Sequence, residues 1–168
     1  MCVILKSTPA KYEKMMHELV TPLFELLNEL DSLEQEIFAR DREMEEEKIA
    51  LNIPRHQIHP KWEELRDEYR RRFWELIEKR AGEKLRSRGY ANSFGKPSRY
   101  CYLKNGMFST EFTMRKDNVA SIVIHYKNTN NTSDKKHKFV LRLIGGIWLV
   151  DEKYFAFEDE KTWHSDSI

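Results

Sequence analysis

Phe139-Val140-Leu141-Arg142-Leu143-Ile144-Gly145-Gly146-Ile147-Trp148-Leu149-Val150-Asp151 decides the fold class. Two runs rich in β-branched, aromatic and aliphatic residues flank a Gly-Gly pair, a strong short-range signal for a two-residue β-hairpin. Working back toward the N-terminus, the same grammar repeats. His137–Ile144 reads as one strand and Ile147–Glu152 as the next. The polar stretch Asn128–Asp134 reads as a mobile loop. Val119–Lys127, a turn at Lys116–Asn118, Met107–Arg115, a turn at Asn105–Gly106 and Arg99–Lys104 complete an antiparallel meander. Ala91–Ser98, with Gly95 and Pro97, reads as the linker into it.

The grammar changes at Gly89, itself a natural helix stop. Before it, apolar residues recur at helical spacing. Tyr12, Met16, Leu19, Leu23, Leu26, Leu30, Leu33 and Ile37 form one seam with steps of four and three. Met15, Val20, Phe24, Leu27 and Phe38 widen it into a core-facing stripe rather than the narrow seam of a coiled coil. Thr8–Pro9 reads as its start. Pro22 is expected to kink this helix or restart it behind Thr21, Asp31–Ser32 offers a second restart, and at least one bend follows. Residues 49–60 read as a loop with apolar anchors. Pro60 opens a second helix with Trp62, Leu65, Tyr69, Phe73, Leu76 and Ile77 on one face. Asp67–Arg71, Glu68–Arg72 and Glu75–Lys79 stand at ion-pair spacing along it.

The expected fold is therefore α+β, a single domain over 1–168. Helices over 8–89 pack on a curved antiparallel sheet over 99–157, with a C-terminal tail over 158–168. The last segment carries Tyr154, Phe155, Phe157 and Trp163 and extends the final strand before the tail.

Charge narrows the function classes. The chain of 168 residues carries 29 Lys and Arg against 28 Asp and Glu, a net charge of +1, which gives no general drive toward nucleic acid or membrane. No stretch approaches the roughly 20 apolar residues of a membrane span. Residues 1–6 are too short for a signal-peptide core, and Cys2 with Cys101 provides no disulfide framework. A cytoplasmic protein with reduced thiols is the expectation. The charge is unevenly placed: ten acidic residues face two arginines between positions 25 and 47.

Catalytic and metal chemistry finds little footing. His56-x-x-His59 is followed directly by Pro60, and no cysteine or acidic cluster joins it, so these read as surface histidines of a loop, and no metal or cofactor is expected. Arg70–Arg71–Arg72 shares its helix with Glu63, Glu64, Asp67, Glu68, Glu75 and Glu78, the pattern of an ion-paired face rather than a phosphate-binding one. Lys135–Lys136–His137–Lys138 reads as a solubilising strand end. Tyr100, Tyr102, Tyr126, Glu111 and Asp151 are the residues a pocket enzyme would recruit, yet no nucleophile motif, phosphate loop or paired-acid spacing accompanies them.

The stretch 89–151 resembles a known family. Ser93–Phe94–Gly95–Lys96–Pro97, with Tyr100 shortly after, enters the sheet. Phe139–Val140–Leu141, the Gly-Gly turn and Trp148–Leu149–Val150–Asp151 close it. This is similar to the immunity proteins of bacterial polymorphic toxin systems that have a nuclear-transport-factor-2-like fold. The resemblance implies a cone of helices wrapped by a curved sheet. It also implies a non-enzymatic antitoxin that binds a cognate toxin C-terminal domain and blocks its active site or substrate access. Phe94, Pro97, Trp148 and Leu149 fall to the fold. The expected toxin contacts are Asp41, Glu43, Glu45, Glu46 and Glu47, with Tyr100 and Tyr102 as exposed aromatic anchors. The expected assembly is a monomer or weak homodimer, with no nucleic-acid or membrane partner. The rival reading is a small-molecule binder or an isomerase- or hydratase-like enzyme using the cone cavity.

Overall fold

The computed structural model describes residues 3–88, 94–127 and 134–168. Gly89, the first part of the 91–98 linker and residues 128–133 of the expected loop lie outside the described residues. The order is β1 (Val3–Leu5), a single 3-10 turn (Ala10–Tyr12), α1 (Met15–Ala50), α2 (Trp62–Ile77), α3 (Glu83–Ser87) and α4 (Tyr102–Asn105). Then follow β2 (Phe108–Lys116), β3 (Val119–Tyr126), β4 (Lys135–Ile144), β5 (Ile147–Phe157) and β6 (His164–Asp166). The class is α+β, as expected. The six strands form one curved, unclosed sheet in sequence order, antiparallel throughout except that β1 runs parallel to β2.

The 4,3 seam is a core seam. Tyr12, Leu19, Leu23, Leu26, Leu30, Leu33 and Ile37 are all buried. They share one cluster with Phe112, Met114, Ile122, Ile124, Phe139, Leu141 and Val150 from the concave sheet face. Burying each such side chain is worth about 1.5–3 kcal/mol. That outweighs the roughly 3 kcal/mol cost of an interior proline. The helix accordingly runs unbroken from Met15 to Ala50 through Pro22, and neither expected restart occurs. Thr8 is not its cap. The Thr8 hydroxyl accepts from Met114 N at 3.1 Å and reaches Phe112 O, fastening the β1 edge to β2.

The sheet register sorts the strand residues into rows. Phe112 faces Ile122, Ile122 faces Phe139 and Phe139 faces Lys153. One step along, Thr110, Ile124, His137 and Phe155 align. Gly145 and Gly146 both adopt positive φ, as the hairpin turn between β4 and β5 requires. The ladder between β4 and β5 shifts register between Val140 and Leu141, leaving Asp151 as the extra residue of a bulge. The bulge advances the phase, so Lys153 comes to the concave side. Gly82 passes so close to β5 that a Cβ there would sit 2.3 Å from Asp151 Oδ1, and its N–H bonds Val150 O at 2.9 Å.

Three expectations about elements are corrected. Residues 99–104 are not a strand: the segment contains α4, and Gly106 at φ +66° ends that helix rather than turning a hairpin. The reason lies across the fold. Glu34 accepts from Arg99 N at 2.9 Å and Gly95 N at 3.1 Å, tying the segment to α1 and away from the sheet. The segment after 157 is not only a tail, because His164–Asp166 pairs with β5. The N-terminal residues supply the opposite edge. Both edge strands are three residues long, which limits edge-to-edge pairing with other chains.

Candidate functional site

α1 and α2 form an antiparallel hairpin held by a ladder of paired groups. Glu29 pairs with Arg80 at 2.9 Å, Glu36 with Arg72 at 2.6 Å and Arg40 with Glu68 at 2.7 Å. At the far end Asp41 Oδ1 accepts from Trp62 Nε1 at 3.1 Å. The guanidinium of Arg72 holds the Glu36 carboxyl below its ordinary range, and that of Arg40 does the same for Glu68. Along α2, Glu68–Arg72 forms as expected, but Asp67 pairs with Arg70 and Glu75 with Arg71. The triple arginine is thus ion-paired on all three members.

The ladder answers the acidic charge in the first part of the 25–47 run. Asp31 is 0 % exposed, and its carboxylate accepts from Gln35 Nε2 at 2.7 Å, Lys104 Nζ at 2.9 Å and the Ser98 hydroxyl. It is a staple between α1 and the α4 segment, not a helix cap. Burial raises the Glu34 carboxyl above its ordinary range despite its two backbone donors.

Beyond Asp41 the pattern changes. Glu45 is taken by Lys48, whose buried ammonium lies 3.1 Å away and also reaches Arg55 O. Glu47 Oε2 stands 3.3 Å from His59 Nε2. Glu43 and Glu46, with Glu64 at the start of α2, are exposed and have no ion-pair partner among the described residues. Of the five acidic residues expected to contact a partner, the structure therefore leaves Glu43 and Glu46 unpaired. Asp41, Glu45 and Glu47 are engaged within the chain.

The connection is ordered by specific bonds. Asn52 takes a left-handed φ of +54°, Ile53 N bonds Lys48 O at 2.9 Å and Asn52 N bonds Ile49 O at 3.3 Å, a Schellman ending. His59, buried rather than on the surface, accepts from Lys61 N at 3.1 Å as α2 begins. On this fixed connection the apolar residues point outward. Ile49 is 78 % exposed, Ile58 64 % and Leu51 53 %. The reading of residues 49–60 as apolar anchors is corrected accordingly. Three solvent-facing aliphatic residues thus fall within ten positions, with unpaired carboxylates on both flanking helices.

Tyr100 and Tyr102 are corrected as exposed anchors, at 2 % and 4 % exposure. They lie in the concave interior, where Tyr102 stacks on Tyr126 with ring centres 3.9 Å apart. His137 bridges the two hydroxyls, its Nδ1 3.0 Å from that of Tyr102 and its Nε2 3.0 Å from that of Tyr126. Burial and the nearby Lys153 push the imidazole well below its usual range, so it is neutral. Lys153 is itself 0 % exposed and is neutralised by Asp166 from β6. Burial lowers its ammonium to about 8. Asp151 and Glu111 do not join this interior group. Asp151 accepts from Arg142 Nε at 3.0 Å at the bulge, and Glu111 pairs with Lys6 at 2.5 Å and faces His125. Of the basic strand start 135–138, only His137 is buried. Lys136 and Lys138 lie over Trp163, and Lys135 over Phe157.

No family model, no curated protein and no solved structure matches this chain.

Proposed function

We propose that this chain is an immunity protein of a bacterial polymorphic toxin system. It binds a cognate toxin C-terminal domain in the cytoplasm and blocks its active site or substrate access. The observation that carries the reading is the hairpin tip. Exposed Ile49, Leu51 and Ile58 sit on a bonded, preformed turn beside unpaired Glu43, Glu46 and Glu64. A partner with an apolar centre and basic groups set against Glu43, Glu46 and Glu64 fits this surface, which also carries the exposed Arg42, Arg55 and Lys61. Toxin domains that act on nucleic acids or nucleotides carry such basic clefts. Apolar contact supplies affinity, and unlike charge steers encounter and suppresses wrong partners. The α+β architecture, helices against a curved sheet, agrees with the fold that the family resemblance implies. Stoichiometric binding, not turnover, is the proposed mechanism.

The test is co-expression with the variable C-terminal domain of a large secreted protein encoded beside this chain. Rescue of growth and a one-to-one complex on size exclusion support the proposal. Unrescued growth and separate elution reject it.

A further inference from the structure

The Tyr102–His137–Tyr126 chain has a proton count that fixes its direction. A neutral imidazole carries one N–H and one lone-pair nitrogen. With a tyrosine oxygen 3.0 Å from each ring nitrogen, one tyrosine donates to the ring and the other accepts from it. The accepting tyrosine then turns its own hydrogen elsewhere. Tyr102 is buried, and among the described residues its hydroxyl has no partner except His137. Turning its hydrogen away would leave a buried donor unmade, a cost of about 1–3 kcal/mol. Tyr126 is half-buried and borders open space. The stable arrangement therefore has Tyr102 donating to Nδ1, Nε2–H donating to the Tyr126 oxygen, and the Tyr126 hydrogen free.

That hydrogen belongs to a residue on the wall of a cavity of about 210 Å³, formed where α4 meets the ends of β3 and β4. The wall includes Arg99, Lys127 and Lys135 and, among the described residues, no carboxylate. Arg99 is held by the main-chain oxygens of Ser167 and Ile168. Lys127 and Lys135 have no ion-pair partner among the described residues, Lys135 lying over the Phe157 ring. Burial and the Asp166 carboxylate keep the Tyr126 hydroxyl protonated far above neutral pH. On the other side of Tyr126 a second cavity, which Lys127 also borders, carries Asp134 and Glu158, the latter 2.9 Å from His125 Nδ1.

We propose that the cavity walled by Tyr102, Tyr126, Lys127 and Lys135 binds a small oxyanion. The Tyr126 hydroxyl, aligned through His137, is the directed donor, and the two lysines are the charge complement. The site is separate from the hairpin tip, and its occupancy is independent of the docking reading. Carboxylates and phosphates share this oxygen chemistry, and the volume admits a one-ring ligand of either kind.

The experiment uses the full chain labelled with nitrogen-15 at histidine, titrated with benzoate, phenyl phosphate and inorganic phosphate. The long-range proton–nitrogen spectrum is expected to show His137 as the Nε2–H tautomer before addition. At least one probe should saturate with shifts at His137, and which probe does so separates the carboxylate from the phosphate source. Tyr126→Phe, which keeps the ring and removes the hydroxyl, should weaken binding by about tenfold or more. Lys127→Gln, at an exposed position, should weaken it severalfold while leaving the tautomer unchanged. An Nδ1–H tautomer, failure of all three probes to saturate, or a Tyr126→Phe chain that binds like wild type overturns the proposal. The exposed Lys127→Gln variant keeps the test open if Tyr126→Phe fails to fold.

Discussion

Two stretches of α1 carry similar acidic residues, paired throughout in the first and left partly free in the second. Between Glu29 and Asp41, carboxylates meet Arg80, Lys104, the Gly95 and Arg99 amides, Arg72 and the Trp62 indole. Past Asp41, Glu43 and Glu46 meet none of the described residues, and the aliphatic Ile49 and Leu51 beside them face solvent. A carboxylate with a fixed partner is part of the architecture. One left free near the end of a helix, beside exposed aliphatic groups, stays open to solvent. Local charge density in the sequence does not separate these cases; pairing in the fold does.

The sharpest way to break this contrast is to put a charge into each half. Leu26→Glu buries a carboxylate among apolar groups and is expected to cost more than about 4 kcal/mol, enough to abolish folding by circular dichroism. Ile49→Glu is expected to stay within about 0.5 kcal/mol of wild type in urea denaturation while weakening the proposed toxin complex. A self-association seam would instead leave Leu26→Glu folded and dissociate a dimer in analytical ultracentrifugation.

Removing a charge sharpens it further. Asp31→Ala strands Lys104 Nζ and the Ser98 hydroxyl and is expected to cost about 2–3 kcal/mol, less than a fully buried pair because Lys104 is half-exposed. Glu43→Gln with Glu46→Gln should leave the denaturation midpoint within experimental error.

Lys153 offers a contrast of sign. Its ammonium is lowered to about 8 inside the fold, whereas the unfolded chain holds that proton to about 10.4. Between these values the unfolded state binds more protons, so stability rises with pH from about 8 toward 10. Above about 10 the interior tyrosines, raised by burial, keep protons the unfolded chain loses, and stability falls. Lys153→Met should remove the rise and leave the fall.

The smallest effect is in acid. Glu36 and Glu68 are held low by Arg72 and Arg40. Their contribution is present above the ordinary carboxylate range and is lost as pH falls through and below it. Glu36→Gln should flatten the acid limb of a pH–stability curve slightly.

Much of this architecture is legible in the chain. The 4,3 seam from Tyr12 to Ile37 and the Gly145–Gly146 turn are local signals, and both appear in the fold where their spacing places them. What escaped is non-local. Asp31 has the composition of a cap and becomes a staple because Ser98 and Lys104 come to it from 67 and 73 positions away. Tyr100 and Tyr102 read as strand residues until Glu34 draws their segment onto α1. Lys153 faces the core only because the bulge at Asp151 shifts the phase, which no period-two count registers. Three-residue strands such as β1 and β6 are too short for any pattern. For the candidate surface, the acidic run marked the place, but the exposure of Ile49, Leu51 and Ile58 depends on the turn at Asn52.

The most direct test is the association rate of the purified chain with the proposed partner, the toxin domain encoded beside it, by stopped flow at low salt, wild type against Glu43→Lys/Glu46→Lys. Reversal of the two free carboxylates should slow association by about tenfold or more, with the difference shrinking as salt is raised. Equal rates for the two chains at low salt would contradict the account.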